Sequence, residues 1–209
     1  MLRIISIVLI LVFSPCMLVA QPQHSRFELY KLKYGISVKI PKHWKIIDKQ
    51  IMDQIDTNTE LLSKVPQGDN DIIIAANFTV SNQPLATIRI SVRTRNTFTQ
   101  DDIENMSQSE INKQDILSRN MLVSSLAKLN NSSTKVSAFK TTKEMLSGFI
   151  CVRTDYKTIE HSKTMNISIY VIYQGSRAVK MTLAYDNSYT DFLETTMNKI
   201  KKSLVIEKK

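Results

Sequence analysis

The chain is expected to adopt an α+β fold, with a largely antiparallel sheet of about six to seven strands and three main helices. Three observations predict it. Apolar segments with period-two alternation are joined by short turns rather than by helical crossovers. Stretches with apolar residues at helical spacing fall between and after them. Only four glycines occur in 209 residues, and no Gly/Ser/Pro-rich linker or internal repeat divides the chain, so one domain is expected.

The first segment is set apart from that domain. Arg3 precedes an apolar run from Ile4 to Phe13, followed by Pro15 and a small residue at Ala20. This is the layout of a secretory signal: a charged n-region, an apolar h-region and a cleavage site. A spanning helix needs roughly 20 apolar residues, and this run is broken at Ser14-Pro15 and gives way to Gln21-Pro22-Gln23. Leu18 is large for the position three before a cut at Ala20. Cys16 as an acylated lipoprotein cysteine is disfavoured, because Pro15 precedes it. Residues 1–20 are therefore expected to be a signal peptide and 21–209 a single periplasmic or secreted domain. Its removal takes Arg3 and no acid, lowering the formal charge from +9 to +8.

The remaining cysteine is Cys151, so no intramolecular disulfide can form, and its run Phe149-Ile150-Cys151-Val152 predicts a packed thiol. The positive charge is dispersed except for Lys199, Lys201, Lys202, Lys208 and Lys209. Those lysines suit the negative end of a last helix. No zinc-finger or aromatic RNA-binding signature accompanies them, so no nucleic-acid partner is expected.

Phe27–Leu32 and Ile36–Ile40 read as strands hinged at Tyr34-Gly35, the second stopped by Pro41. From Trp44 to Lys64 the residues Ile47, Ile51, Ile55 and Leu62 sit near helical spacing, before a turn at residues 66–70. Strands follow at Ile72–Val80 and Leu85–Thr94. In the second, Ala86, Ile88, Ile90 and Val92 point one way, and Thr87, Arg89, Ser91 and Arg93 the other. Thr99 is a candidate N-cap for one long helix, with Asp101 and Asp102 in its first turn. Its apolar side would run from Ile103, Met106 and Ile111 to Leu126, ending at residues 130–133. Four more strands are read at Lys135–Thr141, Gly148–Lys157, Met165–Gln174 and Ala178–Tyr185, with Gly175-Ser176 as a hairpin turn. A last helix, Tyr189–Leu204, carries Phe192, Leu193, Met197, Ile200 and Leu204 on one stripe.

The segment Tyr34-Gly35-Ile36-Ser37-Val38-Lys39-Ile40-Pro41-Lys42-His43-Trp44 resembles the opening of PsbP-like domains: a short strand, then Pro and Trp, then a helix. The order of elements to the tail Ile200-Lys201-Lys202-Ser203-Leu204 is similar over most of residues 27–206. The resemblance implies an α/β/α sandwich around an antiparallel sheet. It also implies a mostly non-catalytic family of photosystem extrinsic subunits, small bacterial envelope proteins and a Ran-GTPase-binding eukaryotic branch. The export signal fits the bacterial envelope branch. Trp44 beside Pro41 reads as core packing.

Catalytic chemistry has no clear signature. His24, His43 and His161 lack zinc-site spacing, and one cysteine cannot complete a tetrahedral set, so no metal or cofactor is expected. No Gly-x-Ser-x-Gly elbow, phosphate loop or His-Glu-x-x-His motif occurs. A sheet face that gathers Arg89 and Arg93 with Arg153, Asp155 and Lys157, then Asn166, Ser168 and Tyr170, then Lys180 and Thr182, is the better lead. Converging arginines suit carboxylate or phosphate, which makes Arg89, Arg93, Arg153, Tyr170 and Lys180 the ligand-binding candidates. The plainer account is a solvated or helix-covered face with surface ion pairs. Four Asn-x-Ser/Thr sequons, at Asn77, Asn105, Asn131 and Asn166, would matter only in a eukaryotic secretory pathway.

Three functions remain in play. The first is an exported non-catalytic binding or assembly module acting through another envelope or secreted protein, with no membrane span after signal cleavage. The second is a small anionic-ligand binder using the arginine-rich face. The third is an exported hydrolase-type effector.

Overall fold

Alternating strands build two antiparallel sheets in the computed structural model, which describes residues 26–52, 70–128, 134–160 and 162–208. The smaller sheet has the order β1-β2-β10, from β1 (Phe27–Leu32), β2 (Ile36–Pro41) and β10 (Val205–Ile206). The main sheet contains β3 (Lys45–Ile46), β4 (Asn70–Val80), β5 (Gln83–Arg93), β6 (Lys135–Leu146), β7 (Phe149–Glu160), β8 (Lys163–Gln174) and β9 (Arg177–Asp186). Among the described residues its order is β3-β4-β5-β9-β8-β7-β6, with every pairing antiparallel. The helices are α1 (Gln100–Asn105), α2 (Gln108–Lys128) and α3 (Thr190–Lys202), and residues 49–52 form a further helical turn.

The inner face of the main sheet packs on α3 and the small sheet. Ile88, Ile90 and Val92 of β5 meet Leu183, Met181 and Val179 of β9 in register, as the alternation in β5 requires. Leu193, Met197 and Ile200 of α3 and Ile36, Val38 and Ile40 of β2 close the other side of this core. Each such fully buried side chain contributes about 1.5–3 kcal/mol. Trp44 belongs to the same core, stacked on Phe78.

The C-terminal tail is tied into this layer by side chains. Ser203 Oγ accepts from Lys39 N at 2.9 Å, and Ser147 Oγ accepts from Ile206 N at 2.9 Å. The buried Arg177 guanidinium donates to the carbonyls of Tyr34 at 2.6 Å and Glu207 at 3.2 Å. Gly35, at φ +67°, sits where a Cβ would press on the Glu207 side chain, so glycine is favoured there.

The outer face carries α1 over β7 and β8, α2 over β6, and a small cluster of Met52, Ile72, Ala75 and Ile47 at the β4 end. Helices on both faces and a mainly antiparallel sheet agree with the expected α+β architecture. Four readings change. The first two strands stand outside the single expected sheet, forming a separate one with β10, a strand not expected. The long helix after Thr99 is broken at Met106, because Ser107 starts a second capping box: its N and Oγ both donate to Glu110 Oε2 at 2.7 Å. β6 extends to Leu146 and turns through Ser147 and Gly148, both at positive φ, where a loop was expected. The helix read over 44–64 begins only at 49, after β3; residues 53–64 lie outside the described residues. So do the signal segment with Cys16, the turn at 66–69, the helix stop at 130–133, His24 and His161.

Candidate functional site

The five candidate residues divide between the two faces. Arg89 pairs with Thr182, Lys180 with Ser91, and Arg93 with Ala178, so Arg89, Arg93 and Lys180 share the outer face. Tyr170 pairs with Arg153 and with Met181, a core residue, so Tyr170 and Arg153 lie on the inner face with Asp155, Ser168 and Asn166. The single converging arginine face is therefore corrected to two separate sets. Alternation within a strand fixes which residues share a side; only the register between strands fixes which sides coincide.

On the inner face the charges neutralise one another. Arg153 Nη1 donates to Glu144 Oε2 at 3.0 Å, and Lys201 Nζ donates to Glu144 Oε1 at 3.2 Å. Arg153 Nε lies 2.8 Å from Asp155 Oδ2, angled as an ion pair rather than a hydrogen bond. Ser168 Oγ donates to Asp155 Oδ1 at 2.6 Å. Both cations also sit over the Tyr170 ring, at 5.6 and 5.3 Å from its centroid. Burial opposes the guanidinium charge, but the Glu144 and Asp155 contacts outweigh it and raise the Arg153 pKa. Burial pushes the Tyr170 hydroxyl up to about 12. These groups fasten α3 to β6 and β7, and Arg153 is already engaged by two carboxylates.

Cys151 lies beside this cluster, opposite Glu144 in the ladder, fully buried. Burial first, then the Glu144 charge, pushes its thiol up to about 12. That is the packed thiol the sequence predicts, and it is inert as a nucleophile near neutral pH.

The outer face is open in two places. Arg93, Lys180, Asn70, Asn96, Ala178 and Tyr173 line a hollow of about 220 Å³. Arg89 stands one register row away, between Ala75 and Thr182. The second recess is a cavity of about 310 Å³ between the sheet and the α1–α2 roof, walled by Ile103, Ile111, Leu122, Phe139, Val152 and Ile169 among others.

The roof is fixed at one end by local chemistry. Thr99 caps α1: its Oγ1 accepts from Asp102 N at 3.2 Å while its own N donates to Asp102 Oδ2 at 2.7 Å. The bonds that Thr99 N and Thr99 Oγ1 donate to Asp102 Oδ2, both at 2.7 Å, lower the Asp102 pKa. Gln100 Nε2 donates to the carbonyls of Tyr173 at 2.7 Å and Ile150 at 3.1 Å, and its Oε1 accepts from Ile150 N at 2.8 Å. Lys143 Nζ donates to the carbonyls of Ile103, Glu104 and Met106 at 3.2, 2.9 and 2.9 Å, a cation at the negative end of α1. Farther along, Thr141 Oγ1 donates to Asp115 Oδ1 of α2 at 2.6 Å.

The outward side of α2 carries large apolar residues among its polar ones. Ile111 and Leu122 turn inward, yet Ile116, Leu117 and Met121 are 61%, 58% and 61% exposed, and Val123 is also exposed. Ile116, Leu117, Met121 and Leu122 were expected on one apolar side with Ile111; at about 100° per residue only Leu122 stays beside Ile111 and the other three spread around the helix. Among the described residues no group of three or more His, Cys, Asp and Glu could hold a metal ion, and no helix is long and apolar enough to cross a membrane.

An open antiparallel sheet, closed on one face by a C-terminal helix and roofed on the other by a helical segment, defines an α+β domain with a recessed outer face. The fold is PsbP-like. It superposes on the solution structure of cyanobacterial PsbP (CyanoP) from Synechocystis sp. PCC 6803 with a TM-score of 0.55 and 7% identity, covering 93% of this chain and 99% of that one. The crystal structure of LpqN, involved in cell envelope biogenesis of Mycobacterium tuberculosis, matches with a TM-score of 0.46 and 14% identity, covering 89% of this chain and 93% of that one. No protein-family profile and no curated protein matches the chain.

Proposed function

We propose that this chain is an exported, non-catalytic module that binds a protein partner of the cell envelope or secreted fraction. The observation that carries this reading is the outward face of α2. Ile116, Leu117, Met121 and Val123 expose large apolar side chains on one element, and such patches mark interaction surfaces. Lys113 is exposed between the Ile116/Val123 and Leu117/Met121 pairs, and Arg119 is exposed beside Val123, so the fitting partner surface is apolar and carries acids. The PsbP-like fold, the Met1–Ala20 pattern and the resemblance of residues 34–44 to a mostly non-catalytic family support the same reading. So does the buried, unreactive Cys151.

The test is capture from the native host with tagged protein, compared with Ile116→Asp/Leu117→Asp. A stoichiometric partner is expected, and the double variant should weaken its capture by about tenfold or more with an unchanged circular dichroism spectrum. Equal capture by both proteins, or no stoichiometric partner, would overturn the reading.

A further inference from the structure

We propose that the outer face of the main sheet binds a single-chain anionic amphiphile, its hydrocarbon chain in the cavity beneath α1 and α2 and its carboxylate or phosphate headgroup against Arg93 and Lys180. The two recesses adjoin, because Val171 and Tyr173 line both. The register explains the continuity. Tyr173, Ala178 and Arg93 stand side by side on three neighbouring strands, and Val171 and Lys180 form the next row. Ala178 places only a methyl group between a tyrosine ring and a guanidinium, so the floor of the hollow is low beside Tyr173. Phe98, half exposed, packs on Tyr173 at 5.6 Å between centroids and lines the cavity at this junction.

The chemistry of the two spaces differs in the way an amphiphile requires. Inside the cavity four polar side chains are paired: Thr141 bonds to Asp115, its hydroxyl lies 3.2 Å from that of Thr154, and Gln114 Nε2 donates to Ser118 Oγ at 3.2 Å. Apart from these groups and the hydroxyls of Tyr156 and Tyr173, the wall is apolar, suiting a hydrocarbon chain. Ser118 is the small residue between Ile111 and Leu122 on the inward stripe of α2, and it keeps the middle of the cavity clear. A dry cavity of about 150 Å³ accepts benzene. By that proportion a cavity of about 310 Å³ accepts a chain of about twelve carbons. The hollow next to it supplies two cationic side chains, which match an anionic head and not a neutral one.

Calorimetry of the purified protein with dodecanoate, dodecyl phosphate, dodecanol and butyrate, each below its micelle concentration, tests the proposal. One equivalent of dodecanoate or dodecyl phosphate should bind about tenfold more tightly than dodecanol, and butyrate should not bind. The stronger of the two anions identifies the headgroup as carboxylate or phosphate. Arg93→Gln/Lys180→Gln should erase the advantage of the anions and leave dodecanol unchanged. Ser118→Trp, or Leu122→Trp should the first fail to fold, should weaken all three twelve-carbon probes by about tenfold or more. The proposal is overturned if dodecanol binds as well as the anions, if butyrate binds as well as dodecanoate, or if none of the probes binds. The outward face of α2 takes no part in this site, so the capture test and the calorimetry fail independently.

Discussion

The two faces of the main sheet start from the same alternating pattern and end in opposite states. On the inner face, α3 and the small sheet bring Leu193, Met197 and Ile200 against β5 and β9, and the charges of Arg153, Lys201, Glu144 and Asp155 are paired. On the outer face a helical roof stands over the sheet, anchored through Gln100, Lys143 and Asp115, and encloses one recess with a second, unroofed one beside it. The difference lies in what covers each face. A stripe of large side chains fills the space above the inner face, while the α2 stripe interposes Ser118 between its larger residues. The closed face holds the fold together, and the open face is free to hold something else.

The largest expected effect breaks or sustains this comparison directly. Ile200→Ala removes a side chain enclosed on all sides and should cost about 2–5 kcal/mol. Ile169→Ala, in the cavity wall, trims a side chain that already lacks neighbours on one side and should cost about 1 kcal/mol or less. Urea midpoints of the two variants read the contrast. Equal losses would mean that the outer face is as tightly packed as the inner one.

A smaller effect concerns Cys151 and Tyr170, the titratable groups embedded in the closed face. Burial raises the thiol from 9.0 to about 12 and the phenol from 10.0 to about 12. Both must stay neutral in the folded state, so their contribution is complete below the unfolded pKa and is lost as pH rises towards the folded one. Stability should begin to fall above pH 9 and drop by about 2 kcal/mol near pH 10.5 on account of the thiol. Cys151→Ala should remove the part that starts at pH 9. Native protein at pH 8 should resist alkylation of Cys151 until denaturant is added; rapid native labelling would show that the inner face opens.

Much of the closed face was legible from local pattern. The alternation of β5 and the stripe of the last helix each follow from a few adjacent residues, as does the Thr99 cap on the outer roof, and each appears where the sequence puts it. The Ser107-x-x-Glu110 box was equally visible, and reading it would have divided the long helix into α1 and α2. The candidate site was legible only in part. Arg93 and Lys180 meet on one face, but Arg153 and Tyr170 belong to the other, because pairings such as Arg153 with Tyr170 and Lys180 with Ser91 are set by register over long sequence separations. The bulge at Ala138, whose φ is +51°, shifts the pairing of β6 within its strand. No periodicity reveals such a shift. The roofed cavity depends on the same long-range pairing, as its walls come from α1, α2, β6, β7 and β8.

The smallest effect bears on how firmly the roof is held. Thr99→Ala deletes the hydroxyl that accepts from Asp102 N and should cost about 1 kcal/mol, the usual loss for an N-cap. The loss should be local: amides of α1 should exchange faster while those of β5 and β9 keep their protection. The Asp102 carboxylate adds a pH signature. Its pKa is lowered in the fold by the bonds from Thr99, so its contribution is present above the ordinary carboxylate range and fades as pH falls through the lowered value. Acidification should therefore loosen α1 in the parent protein and have less effect on the variant. Should exchange instead quicken equally across α1, β5 and β9, the roof and the inner core would unfold as one unit. The two faces would then differ in packing without differing in stability.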